Sequence, residues 1–326
     1  MEVSTHKKRV AVLRGGPSDE YAISMQTGAG VLTALGEQGF TLTDIVITKK
    51  GEWLYNGFVK TPEQALCNSD VVFIALHGAY GEDGTVQRIL ERHSIPYTGS
   101  GSFASAIAMN KVLTKEFLKK QTDTIKMAPH IKLTKEGVAN ITNMAQSIRE
   151  LFGPEYVIKP ISGGSSIGTL MAQSHELETM LAEAFTLNDE VIVEQRIFGK
   201  EATVGIIEAF RDQQHYALPE IEIVPPASSS YFSADVKYTG ETNEICPGRF
   251  SRAEKDELLA VAKQVHQLLD LRQYSRSDFM VAPDGIYFLE VNTLPGLTPF
   301  SLFPKAMEAV GSSYNELVRH LIATAK

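Results

Sequence analysis

Arg9–Leu13 (RVAVL) is a short apolar run that stops at Gly15-Gly16-Pro17. A run of this kind closed by a glycine turn suits a strand buried on both faces, which only a parallel sheet covered by helices provides. The next residues offer such a helix. Ser18 or Asp19 can cap it, it should run over 20–36, and Gly36 or Gly39 should end it. Leu42–Ile47, Val71–Leu76 (VVFIAL) and Ile95–Tyr97 repeat the strand signal, with a helix expected over 84–93. The opening of the chain therefore predicts a doubly wound α/β unit.

The pattern then changes. Helix-forming sequence runs through 102–120, Tyr156–Lys159 and Ile167–Ala172 read as strands joined by the Gly/Ser loop Ser162–Ser166, and a helix is expected over 175–187. Beyond this come antiparallel candidates: Val191–Gln195, Ala202–Ile207, Ile221–Val224, Ser277–Val281 and Ile286–Val291. The turn Pro283-Asp284-Gly285 separates the last two. Helices over 251–270 and 312–325 should cover this sheet. Between Pro225 and Pro247 lies a long polar stretch, and a loop of that length in a compact domain usually has a function or is disordered. The expected organisation is α/β and α+β. A doubly wound parallel-sheet domain occupies 1–105, a central lobe 106–190, and a C-terminal lobe 191–326 with a loop at 225–247.

Composition removes several function classes. A length of 326 residues calls for more than one core. The formal net charge is −8 and no long Lys/Arg run occurs, which argues against nucleic acid as a partner. Cys67 and Cys246 fit no metal-ligand spacing. No stretch reaches the roughly 20 apolar residues of a membrane span, and the basic start MEVSTHKKRVAVLRGG lacks the apolar core of a signal peptide. A reduced, cytoplasmic protein is expected.

The most informative chemistry lies on the last two strands. Glu290 and Asn292 are two residues apart, so they share one face of a strand, and Asp278 on the adjoining strand can join them. Two carboxylates and an amide oxygen are hard ligands suited to Mg²⁺ held together with phosphates. Lys159 precedes Ser162-Gly163-Gly164-Ser165-Ser166, a loop whose N–H and hydroxyl groups can surround phosphate oxygens. It is neither a Walker A loop nor a dinucleotide fingerprint, and glycine-rich turns are often merely structural. Glu194-Gln195-Arg196-Ile197, with Glu201 beyond, can serve either an adenosine or a solvated strand end. Glu20, after the first glycine turn, can pair with a ligand ammonium or simply favour the helix start.

Taken together, AVLRGGPSDE, FIALHGAYGEDGTVQ, IPYTGSG, MNK at 109–111, VIKPISGGSSIG, VIVEQRIFGKEATVGI, VKYTGET, YSRSDFM and YFLEVNTLPGLTPFSLFP resemble D-alanine–D-alanine ligases of the ATP-grasp superfamily, over essentially the whole chain. The resemblance implies a two-lobed ATP-grasp fold behind the N-terminal domain. It implies ATP and Mg²⁺ (or Mn²⁺) as requirements, D-alanine as substrate, an acyl phosphate intermediate and a dipeptide product for peptidoglycan synthesis. A homodimer is implied as well.

Residue roles follow from the same resemblance. Glu20 would anchor the ammonium of the first D-alanine, with His77 also at the substrate. Lys111, Lys159 and Ser166 would reach the ATP phosphates, and Glu194, Gln195, Ile197 and Glu201 the nucleoside. Asp278, Glu290 and Asn292 would hold the metal. Arg276 and Gly296 would stabilise the oxyanion, while Ser301 and Leu302 would hold the second carboxylate at a helix start. Lys237 and Tyr238 would lie on a lid, Tyr238 bonding with Ser165 and Glu20 to favour an amine over D-lactate.

The chain departs from the family pattern in places. Glu20-Tyr21-Ala22-Ile23-Ser24 lacks the second acid of the usual E-R-E-V-S. Gln195 stands where lysine is common, and Ile161-Ser162-Gly163 where a charged residue is common. These departures keep an ATP-grasp ligase for another amino acid, or for a D-lactate acceptor, in competition. A non-catalytic nucleotide-binding protein is the third class, and the complete Asp278/Glu290/Asn292 set with Arg276 argues against it.

Overall fold

The computed structural model describes residues 8–164, 167–226 and 242–326. Three sheets organise them.

The first sheet contains β1 (Arg9–Gly15), β2 (Thr41–Ile47), β3 (Trp53–Tyr55), β4 (Phe58–Lys60) and β5 (Val71–Ile74), in the order β4-β3-β2-β1-β5. Strands β2, β1 and β5 run parallel, and their buried faces carry Val10, Val12, Leu13, Ile45, Phe73 and Ile74. The helix Tyr21–Glu37 follows β1 as expected. Because β2 and β5 lie on opposite sides of β1, the chain reverses direction there. The crevice beyond the carboxyl ends of β1 and β5 is thus the place where such sheets bind ligands.

Ile95–Tyr97 does not extend this sheet. Only a single parallel bridge joins Tyr97 to Val72, and the Tyr97 N–H bonds instead to the backbone oxygen of Lys326. The β3–β4 hairpin, by contrast, was not anticipated. Asn56 and Gly57 both take positive φ, 50° and 80°, the geometry of a two-residue hairpin turn.

The expected helix over 102–120 is two helices, Ser102–Met109 and Lys111–Gln121. Asn110 breaks it. Its backbone is extended, its side chain accepts from the Leu113 N–H, and its backbone bridges to Ser162. The second sheet follows after β6 (Lys126–Met127). It contains β7 (His130–Thr134), β8 (Glu155–Pro160), β9 (Leu170–Gln173) and β10 (Glu190–Gln195), all antiparallel in the order β7-β10-β8-β9. Helices Ile141–Leu151 and Leu177–Leu187 cover it through Ile148, Leu177 and Leu181.

The third sheet is built from β11 (Lys200–Phe210), β12 (Gln213–Ala217), β13 (Ile221–Val224), β14 (Asn243–Ile245), β15 (Tyr274–Ala282) and β16 (Gly285–Asn292), with β6 on its edge beside β16. The helix Arg252–Leu268 packs on one face through Leu258, Ala262 and Val265, and starts with a capping box between Ser251 and Glu254. The last helices, Leu302–Ala309 and Tyr314–Ala323, turn back. Phe303, Met307, Leu317 and Leu321 enter the same core as β1 and β5. Among the described residues, no helix is long and apolar enough to cross a membrane.

Candidate active site

The hairpin β15–β16 aligns Asp278 with Glu290 and Arg276 with Asn292. Alternation puts all four side chains on one face. A register shift between Asp278 and Phe279 inserts Leu289 as an extra residue, and such bulges re-aim neighbouring side chains. Arg276 grips Asp278 in a fork of two bonds, both 2.9 Å. Thr203 on β11 donates to the same carboxylate at 2.5 Å, and the Asn292 amide nitrogen does so at 3.1 Å. The Asn292 amide oxygen is thereby left as an acceptor. Burial lowers the Arg276 affinity for its proton, but Asp278 outweighs it and the guanidinium stays charged.

Three lysines and two glutamates meet this face. Lys111 opens its helix one residue after the Asn110 break, which aims its ammonium at Glu290 (3.1 Å) and at the Gly163 carbonyl (2.7 Å). Lys159, near the end of β8, reaches Glu194 at 2.7 Å, and Lys115 reaches the other oxygen of the same carboxylate at 2.7 Å. Glu194 is 2% exposed and Lys115 1%. Burial alone would raise the Glu194 carboxyl; Lys115 and Lys159 together reverse this and hold it well below the usual carboxylate range. The two ammoniums differ. Burial dominates at Lys115 and lowers it, whereas at Lys159 the charges of Glu194 and Glu290 outweigh burial and raise it. Burial would likewise raise Glu290, yet Lys111 and Lys159 keep it low against the repulsion of Asp278.

Lys115 carried no role in the sequence. Its signal was its spacing, four residues after Lys111 and so on the same helix face. Glu194, expected at the nucleoside, has its carboxylate committed to two lysines. That leaves Gln195, Ile197 and Glu201 as the side chains along the outer cleft, beside Phe198, Met280 and Leu289. The cleft between the second and third sheets has a volume of about 360 Å³, lined by polar Lys111, Lys159, Asp278 and Glu290 and by apolar Ile197, Phe198, Met280 and Leu289.

A smaller cavity is lined by Gly78, Glu82, Gly163, Gly164, Glu290 and Asn292, and shares Gly163, Gly164 and Glu290 with this cleft. Glu20 borders it. It precedes the helix Tyr21–Glu37 without capping it. Its carboxylate sits against Gly78 and Gly164, where an added methyl would approach Glu20 Oε2 to 2.9 and 3.1 Å. Gly78 also has φ +69°, so two separate constraints favour glycine there. Glu82, for which the sequence suggested no role, accepts from the Gly78 N–H (2.9 Å) and the Leu294 N–H (3.2 Å). Burial and then the charge of Glu20 push its pKa up to about 7. Its signal was position alone, an acid on the glycine turn after β5.

His77 is buried with both ring nitrogens engaged. Nδ1 lies 3.0 Å from the Leu294 carbonyl and Nε2 2.9 Å from the Thr27 hydroxyl. A carbonyl only accepts, so Nδ1 carries the proton and the ring ties the first domain to loop 293–297. At the end of that loop the Ser301 hydroxyl bonds to the Thr298 N–H (3.1 Å) and hydroxyl (2.8 Å) and would lie 3.0 Å from a methyl on Gly296. The Leu302 side chain is buried, and its N–H opens the helix Leu302–Ala309. Ser165, Ser166, Lys237 and Tyr238 lie outside the described residues.

Residues 118–323 match the family model described as D-ala D-ala ligase C-terminus, and residues 55–100 that described as D-ala D-ala ligase N-terminus. The chain belongs to the D-alanine–D-alanine ligase family. Two bacterial members illustrate the relationship. The D-alanine–D-alanine ligase of Syntrophotalea carbinolica is 39% identical over 98% of this chain and 96% of its own length. That of Geobacter sulfurreducens is 37% identical over 98% and 94%. Among solved structures, the D-alanine–D-alanine ligase from Bacillus anthracis complexed with ATP superposes with a TM-score of 0.78 at 30% identity, covering 97% of each chain. The VanG D-Ala:D-Ser ligase from Enterococcus faecalis superposes with 0.80 at 27% identity, covering 98% and 99%. The second sheet and the largely antiparallel third sheet, facing one cleft, are the ATP-grasp arrangement of this family.

Proposed function

We propose that the chain joins two D-alanine molecules to D-alanyl-D-alanine at the expense of ATP, through an acyl phosphate, for peptidoglycan synthesis. The observation that carries this is adjacency, since the small cavity beside Glu20 shares Lys111, Gly163, Gly164 and Glu290 with the larger cleft. The Glu20 carboxylate lies one small cavity away from Glu290 and Asn292, and these in turn stand beside Lys111 and Lys159.

Each part of the lining suits one reactant. The apolar side chains of Ile197, Phe198, Met280 and Leu289 fit a planar base, and Glu201 a ribose. Lys111, Lys159 and the loop at Gly163-Gly164 face the phosphates. The oxygens of Asp278, Glu290 and Asn292 are a donor set that fits Mg²⁺ or Mn²⁺. Such an ion, when bound, neutralises phosphate charge. Glu20 would hold the ammonium of the first D-alanine and bring its carboxylate towards the transferred phosphoryl group. Arg276 and the Gly296 N–H would face the developing oxyanion, and the N–H groups at Ser301 and Leu302 the carboxylate of the second D-alanine. His77 and Glu82 act by fixing the Leu294 loop between these groups. We also take the active form to be a homodimer.

The test is ADP release by the purified chain with D-alanine, D-alanine plus D-lactate, and D-alanine plus D-serine, with the products identified. The expected outcome is ADP formed in step with D-alanyl-D-alanine. Turnover only with another amino acid, or phosphate release with D-lactate far above that with D-alanine alone at neutral pH, would overturn the assignment of substrate.

A further inference from the structure

At the far end of β11 from the cleft, three potential ligands meet. Glu208 lies five residues beyond Thr203, roughly 17 Å along the strand. His215 on β12 is its cross-strand partner. His266 comes from the last turn of the helix Arg252–Leu268. One ligand atom from each of Glu208, His215 and His266 lies within 4.8 Å of the other two. We propose that these three residues bind a divalent ion of the Zn²⁺ class.

Distances distinguish this from a plain ion-pair cluster. Glu208 Oε1 lies 3.6 Å from His215 Nε2 and 3.5 Å from His266 Nε2. Both are too long for N–H···O hydrogen bonds, which fall at about 2.7–3.2 Å. They match the edge of a tetrahedron around zinc, about 3.3 Å for metal–ligand bonds of about 2.0–2.1 Å. A small rotation of the partly exposed His215 ring would close the third edge.

A second observation points to a ligand. His266 is 0% exposed, and among the described residues its Nε2 faces Glu208 Oε1 at 3.5 Å without a hydrogen bond of normal length. A buried polar atom normally has one.

The outer contacts leave the inner atoms available. His266 Nδ1 lies 2.8 Å from the Ser275 hydroxyl. With the proton on Nδ1, the Nε2 lone pair faces inward. Glu208 Oε2 is already occupied by the Gln273 N–H (2.9 Å), with the Lys326 ammonium at 4.0 Å, so Oε1 is the oxygen turned to the two rings. His215 Nδ1 contacts the Gln267 amide at 3.1 Å. Turning that amide over presents its oxygen to an Nδ1–H and releases His215 Nε2 for the metal. An open groove beside His215, Gln267 and Asp270 gives access for the ion and for water as fourth ligand. Two imidazole nitrogens are borderline donors, and with one hard carboxylate they make a set that suits zinc better than magnesium. The ion would clamp the β11–β12 hairpin to the helix Arg252–Leu268, a structural role outside the reaction.

The experiment is a Zn²⁺ titration of the untagged, chelator-stripped chain against a chromophoric competitor, with Co²⁺ as a spectroscopic probe. Wild type should bind one equivalent more than His215→Ala. Glu208→Gln, which preserves shape, should lose the same equivalent. Ser275→Ala should weaken it by roughly ten- to a hundredfold through loss of the outer contact. Zn²⁺ should raise the melting temperature of wild type but not of His215→Ala, and turnover of zinc-free His215→Ala, assayed with Mg²⁺ and ATP, should equal that of zinc-free wild type. Equal stoichiometry in wild type and both ligand variants, or no tetrahedral Co²⁺ spectrum in wild type, overturns the proposal.

Discussion

Glu290 stands between an ammonium and a second carboxylate, a position that makes sense for a group shared between Lys111 and a cation. Glu290→Gln keeps the size and removes the charge. Turnover should fall by more than about a hundredfold, a loss of roughly 3 kcal/mol in transition-state stabilisation. Circular dichroism should be unchanged, because the side chain lines an open cleft. Full activity in this variant would remove the metal assignment.

Glu82 makes a different prediction. Its carboxyl, ordinarily near 4.5, rises to about 7 in the folded chain. Between these values the folded state binds more protons than the unfolded one, so stability from this group is present below 4.5 and is lost as pH rises through 7. The melting temperature of Glu82→Gln should lack that part of the slope, and an identical pH profile would exclude it. The convergence of Asp278, Glu290 and Asn292 was legible because these residues are neighbours on two adjacent strands. Glu82 was not, because what raises it, burial and then the charge of Glu20, depends on tertiary packing and on a residue far away in sequence.

The break at Asn110 shows why an element boundary matters to a site. A single helix through 102–120 would carry Lys111 at a mid-helix position; the break places it at the first turn, facing Gly163. Helix propensity could not reveal this, since methionine and lysine on either side are good helix formers. The cap asparagine was the available sign. Asn110→Ala should cost about 1 kcal/mol of stability in denaturant unfolding and raise the KM for ATP several-fold while leaving that for D-alanine nearly unchanged. Equal shifts in both would mean that the break serves packing only. The unanticipated β3–β4 hairpin is the opposite case. Its Asn56-Gly57 pair between Trp-Leu-Tyr and Phe-Val-Lys was a plain signal in the chain. The β6 edge strand of two residues left no comparable trace, since its pairing to β16 is entirely tertiary.

Gln273 ties the segment after the first sheet to the last helix. Its side-chain oxygen accepts from the Gly99 N–H at 2.6 Å, and its amide nitrogen reaches the Leu321 carbonyl and the Thr324 hydroxyl. It is 1% exposed. Gln273→Ala would strand a buried donor and a buried acceptor, and about 3 kcal/mol of stability should go with them. Urea unfolding would register this, and a loss below about 0.5 kcal/mol would show that water replaces the amide.

The same cross-linking has a consequence for how the molecule is made. The strands β1 and β5 are complete by Ile74, yet part of their core is Phe303, Met307, Leu317 and Leu321. Synthesis at about 5–20 residues per second puts a delay on the order of ten to fifty seconds between the two. Throughout that interval the nascent first domain holds apolar surface that no later-made helix has yet covered. The growing chain is thus most in need of protection from aggregation while its ATP-grasp body is still being translated.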